Sequence, residues 1–179
     1  APDKTADLGA WEEIVPHRDD VFLRGFDVFD DFLVVAERRD AQSELRVVPW
    51  NQPDQGHTIA FDESVYHNWL GFNPESATGT VRLGYTSLTT PSTVYDYDMA
   101  SRTLTLKKRD PVLGGFNPDE YVAERIYASA PDGTRVPISL VHRKDLDRSK
   151  PAPLYQYAYG SYGYSMTPRF SISRLSLLD

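Results

Sequence analysis

A weak internal repeat places the strongest constraint on how this chain can fold. Residues 33–39 form an apolar, partly alternating run, and a polar turn separates them from a second run at 46–50. The same pattern returns 48 positions later, with runs at 81–87 and 94–98 on either side of a turn at Pro91. Short apolar runs between turn residues are typical of β-strands, so each unit predicts a strand, a turn and a strand.

The spacing of the repeat indicates a fold class. Four-stranded units that recur every roughly 40 to 50 residues are typical of β-propeller blades. A propeller closes only when about four to eight blades form a ring, because each blade needs neighbours to cover its faces. We therefore predict a mostly β chain in which residues 1–110 form a partial β-propeller of about two blades.

Two acidic residues, Asp30 and Asp31, separate the apolar runs at 21–29 and 32–37. Aspartate is favoured in tight turns, so the pair predicts a hairpin turn. A calcium loop is the alternative, but it needs a glycine and a third carboxylate at fixed spacing, which this stretch lacks. The histidines also lack the helical spacing of a metal-binding pair, so no metal site is predicted. They are His17, His57, His67 and His142.

The composition changes where the repeat ends. Residues 111–120 contain two prolines and a pair of adjacent glycines, which is typical of a linker between domains. Beyond the linker we predict a second part, residues 121–179, that opens with strands at 121–129 and 136–142. A turn joins these strands, and Gly133 supplies the positive φ that such a hairpin turn requires.

A tyrosine-rich apolar run at 153–159 stops abruptly at two glycines, Gly160 and Gly163. This pattern predicts a buried strand that ends in a loop, with backbone at positive φ at the glycines. Beyond this loop, residues 170–178 carry apolar side chains at helical spacing, which predicts a short helix.

Serine residues stand at the start of the predicted C-terminal helix. Ser171 or Ser173 is expected to cap it, because a serine hydroxyl can accept a hydrogen bond from a free helical N–H. The chain ends at Leu177–Asp179, inside an apolar segment without a polar tail. We therefore expect that it is a piece of a longer polypeptide.

Charge and composition exclude several kinds of partner. The net charge is −7, with 19 basic residues against 26 acidic ones, so no nucleic acid partner is expected. No apolar run approaches the roughly 20 residues of a membrane helix, so no membrane partner is predicted. No phosphate-binding Gly-Lys-Ser/Thr motif follows the glycine pair, so no cofactor is predicted. The chain has no cysteine, which fits a reducing compartment. We expect a cytoplasmic location, with the periplasm as the alternative.

Two residues of the glycine loop could carry chemistry. Ser161 precedes Gly163 by two positions, but Tyr159 occupies the place of the first glycine of a nucleophile elbow, so Ser161 is a poor candidate nucleophile. Tyr159 ends the predicted strand, and its phenol could donate one hydrogen bond into a cleft. The alternative is that the tyrosines of this stretch only pack. They are Tyr155, Tyr157, Tyr159, Tyr162 and Tyr164.

Ordered blocks of sequence carry a resemblance to a known family. They are Tyr85–Pro91 with Val94–Asp98, Gly114–Phe116 with Tyr121 and Glu124–Arg125, Ala130–Leu140, Tyr157–Gly163, and Phe170–Asp179. In this order they resemble the prolyl oligopeptidase family of serine peptidases, and its oligopeptidase B branch in particular. The resemblance is dense over about half of the chain and keeps its register over the rest.

The resemblance implies a seven-bladed propeller that caps an α/β-hydrolase domain, with the active site in the cavity between them. By that resemblance residues 1–110 are the closing blades, and residues 121–179 are the first strands of the α/β-hydrolase domain. The second tyrosine of the family's Tyr-x-Tyr-Gly motif supplies a side-chain half of the oxyanion hole, and here it is Tyr159. Tyr162 matches a position that borders the substrate pocket.

The implied activity is that of a serine oligopeptidase that cleaves short peptides after Arg or Lys through an acyl-enzyme. The family's catalytic serine, aspartate and histidine all follow the place of residue 179. The segment is therefore expected to be inactive alone and to need the remainder of its polypeptide as a partner. A non-enzymatic propeller binding module, or an inactive relative, is the alternative.

One short segment departs from the family pattern. Some oligopeptidase B members carry acidic residues just before the phenylalanine that matches Phe170, and these help to receive basic substrate side chains. Here the same places hold Thr167, Pro168 and Arg169. An arginine would repel a cationic side chain, which puts the preference for basic residues in this secondary pocket in doubt.

Overall fold

The computed structural model describes residues 7–179, and antiparallel β-structure dominates them. The strands are β1 (Val21–Val28), β2 (Phe32–Arg39), β3 (Gln42–Pro49), β4 (His57–Thr58), β5 (Tyr66–Leu70), β6 (Thr80–Ser87), β7 (Thr93–Asp98), β8 (Thr103–Arg109), β9 (Tyr121–Ser129) and β10 (Arg135–Arg143). A single α-helical turn, α1 (Ile172–Leu175), follows, and short 3-10 helices lie at Leu8–Ala10, Pro53–Gln55 and Pro118–Glu120.

The strands form two four-stranded sheets and one hairpin. Strands β1–β4 make the first sheet and β5–β8 the second, and in both the strands pair in chain order. The first repeat unit falls on β2 and β3 and the second on β6 and β7, so each unit occupies the two middle strands of its sheet. The predicted mostly β chain with two blade-like sheets is confirmed, and the sheets do not close into a ring.

The hairpin turns of the first sheet follow from their sequences. Asp30 and Asp31 join β1 to β2, as predicted. The turn between β2 and β3 consists of Asp40 and Ala41, with φ of 49° and 60°. Two successive residues at positive φ match the right-handed twist of the flanking strands, and aspartate tolerates this conformation better than most residues.

The two sheets share one hydrophobic core. A hydrogen bond of 2.7 Å from the Gln42 side-chain amide to the carbonyl of Tyr66 also joins them where β3 meets β5. Burying a Val, Leu or Phe side chain stabilises the fold by about 1.5–3 kcal/mol. The buried residues from the two sheets and their connections are Phe29, Val34, Leu45, Val47, Ile59, Val81, Leu83, Tyr85, Tyr97 and Met99. Each sheet therefore covers a face of the other.

A carboxylate fastens the connection between β4 and β5 to the second sheet. Glu63 accepts hydrogen bonds from four hydroxyl groups, and a carboxylate has enough lone pairs to accept all of them. The donors are Tyr85 at 2.5 Å, Ser87 at 2.6 Å, Thr89 at 2.7 Å and Thr90 at 2.9 Å. Burial, followed by the bond to Glu63, raises the pKa of Tyr85.

The second part of the chain opens with the predicted hairpin. Strands β9 and β10 pair along their whole length, and Gly133 in the turn has a φ of 86°. The predicted C-terminal helix is present but shorter, since α1 spans one turn. Ser171 caps it by accepting a hydrogen bond from the backbone N–H of Arg174. No helix among residues 7–179 is long and apolar enough to cross a bilayer.

The prediction of a buried strand at 153–159 is wrong. This segment has no strand conformation in the structure, and its side chains are exposed. A strand needs a neighbour that supplies hydrogen-bond partners for its backbone, and β9 and β10 pair only with each other within the described chain. The apolar pattern alone therefore does not produce a strand here.

Substitution of Gly84 by alanine is expected to destabilise the second sheet. Gly84 faces Trp69 across β5 and β6, and a Cβ atom at this position would collide with the indole ring. Overpacking of this kind costs about 1–3 kcal/mol. The measurement is the free energy of unfolding in urea. Gly79→Ala is the control, because a Cβ there meets no atom within 4 Å; equal losses in both variants would contradict the packing argument.

Candidate functional site

Tyr159 lies in an exposed loop and offers its hydroxyl group to solvent. The residue is 50% exposed, and its ring packs edge-on against Tyr164, with 5.7 Å between ring centroids. No group among residues 7–179 forms a hydrogen bond with the Tyr159 hydroxyl. The edge-on contact supports the ring while the phenol stays available as a donor.

The backbone of the loop differs in detail from the prediction. Gly163 has the predicted positive φ, 67°, but Gly160 does not lie in the left-handed region. Tyr162 does, with a φ of 57°, which is uncommon for a residue that carries a side chain. This conformation leaves Tyr162 100% exposed. Its role as a wall of the substrate pocket stays a prediction, since Tyr162 lines neither of the two depressions described below.

The loop and the segment after it touch both sheets. Arg38 on β2 donates a hydrogen bond of 3.3 Å to the carbonyl of Gly163. The backbone N–H of Phe170 donates one of 3.3 Å to the hydroxyl of Thr86 on β6. Residues 163–170 are therefore attached at one end to the first sheet and at the other end to the second.

A polar contact holds β9 against the turn between β2 and β3, and we call its residues the turn clamp: Asp40, Gln42, Arg125 and Tyr127. The Tyr127 hydroxyl donates to Asp40 Oδ2 at 2.6 Å. The Arg125 guanidinium donates to Gln42 Oε1 at 3.2 Å and also to the backbone carbonyl of Asp40. Hydrogen bonds that involve a charged partner are the stronger ones, so the clamp is the main polar link between the hairpin and the blades.

Aromatic packing joins the linker to the C-terminal segment. Phe116 stacks on Tyr121 with 5.5 Å between ring centroids, and it meets Phe170 edge-on at 5.1 Å. Close by, Asp179 accepts hydrogen bonds from the Tyr121 hydroxyl at 2.7 Å and from Arg143 at 3.0 Å. These two donors, Tyr121 first, lower the pKa of Asp179.

A cleft of about 550 Å³ lies between the second sheet and the segment before α1. We call it the arginine cleft, after Arg169. One wall comes from β5, β6 and the turn that follows them, and the other from the start of the linker and residues 169–172. Its lining residues are His67, Trp69, Thr86, Pro91, Ser92, Asp110, Pro111, Val112, Arg169, Phe170 and Ile172.

The imidazole of His67 is neutral at ordinary pH. Burial is the largest cause, and together with the charges of Arg169 and Arg24 it lowers the pKa of His67 to about 4. Its ring also stacks on Trp69, with 5.3 Å between centroids and an angle of 25° between the planes. The two rings therefore form one flat wall of the arginine cleft.

Sequence reasoning missed His67 and Trp69 as site residues. Alternate residues of a strand point to the same face, so the i, i+2 spacing of two rings on β5 was the available signal. It could not show which segment would face them.

Tyr155 and Tyr157, by contrast, line a shallow groove of about 250 Å³ beside α1, where Arg174 and Leu177 form part of the opposite side.

Comparison with known proteins adds to this geometry. The family described as "Prolyl oligopeptidase, N-terminal beta-propeller domain" matches residues 3–110. The chain belongs to the prolyl oligopeptidase family. The match covers β1–β8, the two sheets that are blade-like in the structure.

Two relatives show how much of this family's length the chain represents. Dipeptidyl aminopeptidase BI of Pseudoxanthomonas mexicana is 46% identical over 180 residues, which cover 100% of this chain and 24% of the relative. Protease 2 of Moraxella lacunata is 29% identical over 173 residues, which cover 97% of this chain and 25% of the relative. The chain thus spans about a quarter of the length of these relatives.

Solved oligopeptidase B structures match both parts of the chain. Oligopeptidase B from Trypanosoma brucei, a closed form with covalently bound antipain, has a TM-score of 0.83 and 35% identity over 93% of this chain and 24% of its own. Oligopeptidase B from Leishmania major gives 0.81 and 35%, over 92% and 24%. The arrangement of blades and C-terminal segment is therefore similar to that in members of the prolyl oligopeptidase family.

The pKa of His67 tests whether its imidazole is buried in the wall of the arginine cleft. Because the pKa is lowered in the folded chain, the unfolded chain binds a proton at this residue first as the pH falls. The contribution of His67 to stability is therefore present above about pH 6.5 and is lost as the pH falls toward 4. NMR titration of the imidazole should give a pKa of about 4. A value at or above 6.5, or equal acid destabilisation in His67→Gln, would contradict the assigned environment.

Proposed function

We propose that this chain is part of a serine oligopeptidase that hydrolyses short peptides. The observation that carries the proposal is the tyrosine loop of this member of the prolyl oligopeptidase family, in which the half-exposed Tyr159 hydroxyl has no hydrogen-bond partner among residues 7–179. Relatives that match the chain are named as peptidases, and the similar Trypanosoma brucei structure contains covalently bound antipain. These names support hydrolysis of peptide bonds as the activity of the whole protein.

The proposed domain organisation assigns a role to each part of the chain. Residues 1–110 are the closing blades of the propeller, residues 111–120 are the linker, and residues 121–179 are the first part of the α/β-hydrolase domain. The turn clamp supports this assignment, because its hydrogen bonds connect the first sheet to the hairpin that follows the linker. The remainder of the same polypeptide supplies the other blades and the catalytic triad.

The proposed role of Tyr159 follows from the charge that develops during acyl transfer. When a serine oxygen attacks the carbonyl carbon of the substrate, the carbonyl oxygen becomes negative as the tetrahedral intermediate forms. A preorganised donor aimed at that oxygen stabilises the transition state more than the ground state. The Tyr159 hydroxyl is such a donor, and the Tyr164 ring beside it limits the positions that the phenol can take.

We propose that the whole protein cleaves peptides after Arg or Lys. This preference is supported by similarity to oligopeptidase B across both parts of the chain. Thr167, Pro168 and Arg169 do not provide the acidic side chains of some family members, so a basic residue at the neighbouring substrate position gains nothing from this segment.

A second candidate is the release of dipeptides from the N-terminus of a peptide. It is favoured by the 46% identity to a dipeptidyl aminopeptidase over the whole of this chain. The full-length protein should be incubated with peptides that carry internal Arg or Lys residues and either a free or an acetylated N-terminus, and the products identified by mass spectrometry. Cleavage that is indifferent to acetylation supports the oligopeptidase, and cleavage restricted to free termini supports dipeptide release. If no peptide is cleaved, the protein is a non-enzymatic module or an inactive relative.

Replacement of Tyr159 by phenylalanine should lower the kcat of the full-length enzyme by about one to three orders of magnitude, because it removes only the donor to the oxyanion. The measurement is turnover of a small arginyl amide. Tyr157→Phe is the matched control, since it removes a hydroxyl from the same exposed segment without touching the proposed oxyanion hole. Equal turnover in wild type and Tyr159→Phe would refute the assigned role.

A further inference from the structure

The arginine cleft contains a set of hydrogen-bond donors that the proposed role of Tyr159 does not use. Arg169 lies on one wall and His67 on the facing wall. Arg169 is exposed, and no ion pair within residues 7–179 involves it. A guanidinium group without a carboxylate partner has five N–H donors to offer.

A chain of hydrogen bonds sets the orientation of His67. The backbone N–H of Asn68 donates to the Ser43 hydroxyl oxygen at 2.8 Å, and that oxygen lies 3.1 Å from His67 Nδ1. With one lone pair occupied by Asn68, the Ser43 hydroxyl can donate its own proton to Nδ1, and in that tautomer the single proton of the neutral imidazole resides on Nε2. His67 then presents an N–H donor in the same cleft as Arg169.

The charges around the cleft favour an anion. Arg24 and Arg169 are both close enough to lower the pKa of His67, and neither has a carboxylate partner in the described part of the chain. The acidic residue in the lining is Asp110, and Lys108 pairs with it at 3.3 Å. The positive charge of Arg169 is therefore not compensated by a carboxylate of the cleft lining.

The other walls suit a ligand with an apolar body. Trp69 is 37% exposed and stacks on His67, while Phe170 and Val112 contribute apolar surface from the opposite side. A carboxylate attached to a peptide chain has this combination of properties, because its charge can pair with a guanidinium while the adjoining residue packs on an aromatic ring.

We propose that the arginine cleft binds a carboxylate of the peptide substrate, with Arg169 and His67 Nε2–H as donors and Trp69 as the packing surface. The inference rests on the proposed peptidase function and deepens it by naming a substrate class. The carboxylate can belong to an acidic side chain beside the cleaved residue or to the C-terminus of a short peptide. Both sources present the same group to the cleft.

The test uses the full-length enzyme and quenched fluorescent peptides of equal length with one cleavable Arg. One other position holds Glu or Gln in turn, and each peptide is made with a C-terminal carboxylate or a C-terminal amide. In one of the two comparisons, Glu against Gln or acid against amide, we expect kcat/KM to be about tenfold higher for the peptide that carries the carboxylate. A charge-assisted hydrogen bond has an effect of this size. Preference for Glu at one position identifies an acidic side chain, and preference for the free acid over the amide identifies the C-terminus.

Variants decide whether the preference arises in the cleft. Arg169→Met should bring the preferred ratio to within about twofold, and Arg169→Glu should invert it in favour of a matched Lys peptide. Lys144→Met is the control, because it removes an exposed cation outside the cleft and should leave the ratio as in wild type. Ratios within each variant cancel any change in overall rate.

Two results overturn the inference, and they are distinguishable. If wild type cleaves Glu and Gln peptides, and acids and amides, at equal rates, or if Arg169→Met keeps the preference, the cleft does not bind a carboxylate although the enzyme is a peptidase. If no peptide is cleaved at all, the proposed function fails and this inference fails with it.

Discussion

The turn clamp determines how the second part of the chain lies on the blades. A two-residue turn at positive φ places Asp40 and Gln42 at the end of the first sheet, where Arg125 and Tyr127 of β9 bind them. The hairpin that carries these donors also leads the chain toward the tyrosine loop. The loop itself is attached to the first sheet by the weaker hydrogen bond from Arg38.

The blades in turn depend on sharing a core. Residues of both sheets are buried in one cluster, and the bond from Gln42 to Tyr66 links the sheets at β3 and β5. Gln42 thus belongs both to the contact between the blades and to the turn clamp. The two proposed binding features belong to different sheets: the Tyr159 loop is bonded to the first sheet, and the arginine cleft is built on the second.

Sequence patterns predicted the parts of the fold that local rules determine. The repeat, the Asp30–Asp31 turn, the β9–β10 hairpin with Gly133 and the Ser171 cap all depend on residues close together in the chain. The strand at 153–159 was wrong, because strand formation depends on a neighbour that local sequence does not reveal. His67 and Arg169 were missed as a pair for a similar reason: they are 102 positions apart, and only folding brings them to one cleft.

The central claim is that the turn clamp holds the hairpin against the blades and thereby steadies the segment that follows Tyr159, which is bonded to the sheets by Arg38 and Thr86. Amide hydrogen exchange in the full-length protein tests it most directly, at the N–H groups of Tyr164 and Phe170. In the double variant Arg125→Met and Tyr127→Phe, the account predicts faster exchange at both amides and unchanged exchange at the buried Val34. Unchanged exchange at Tyr164 and Phe170 would contradict it.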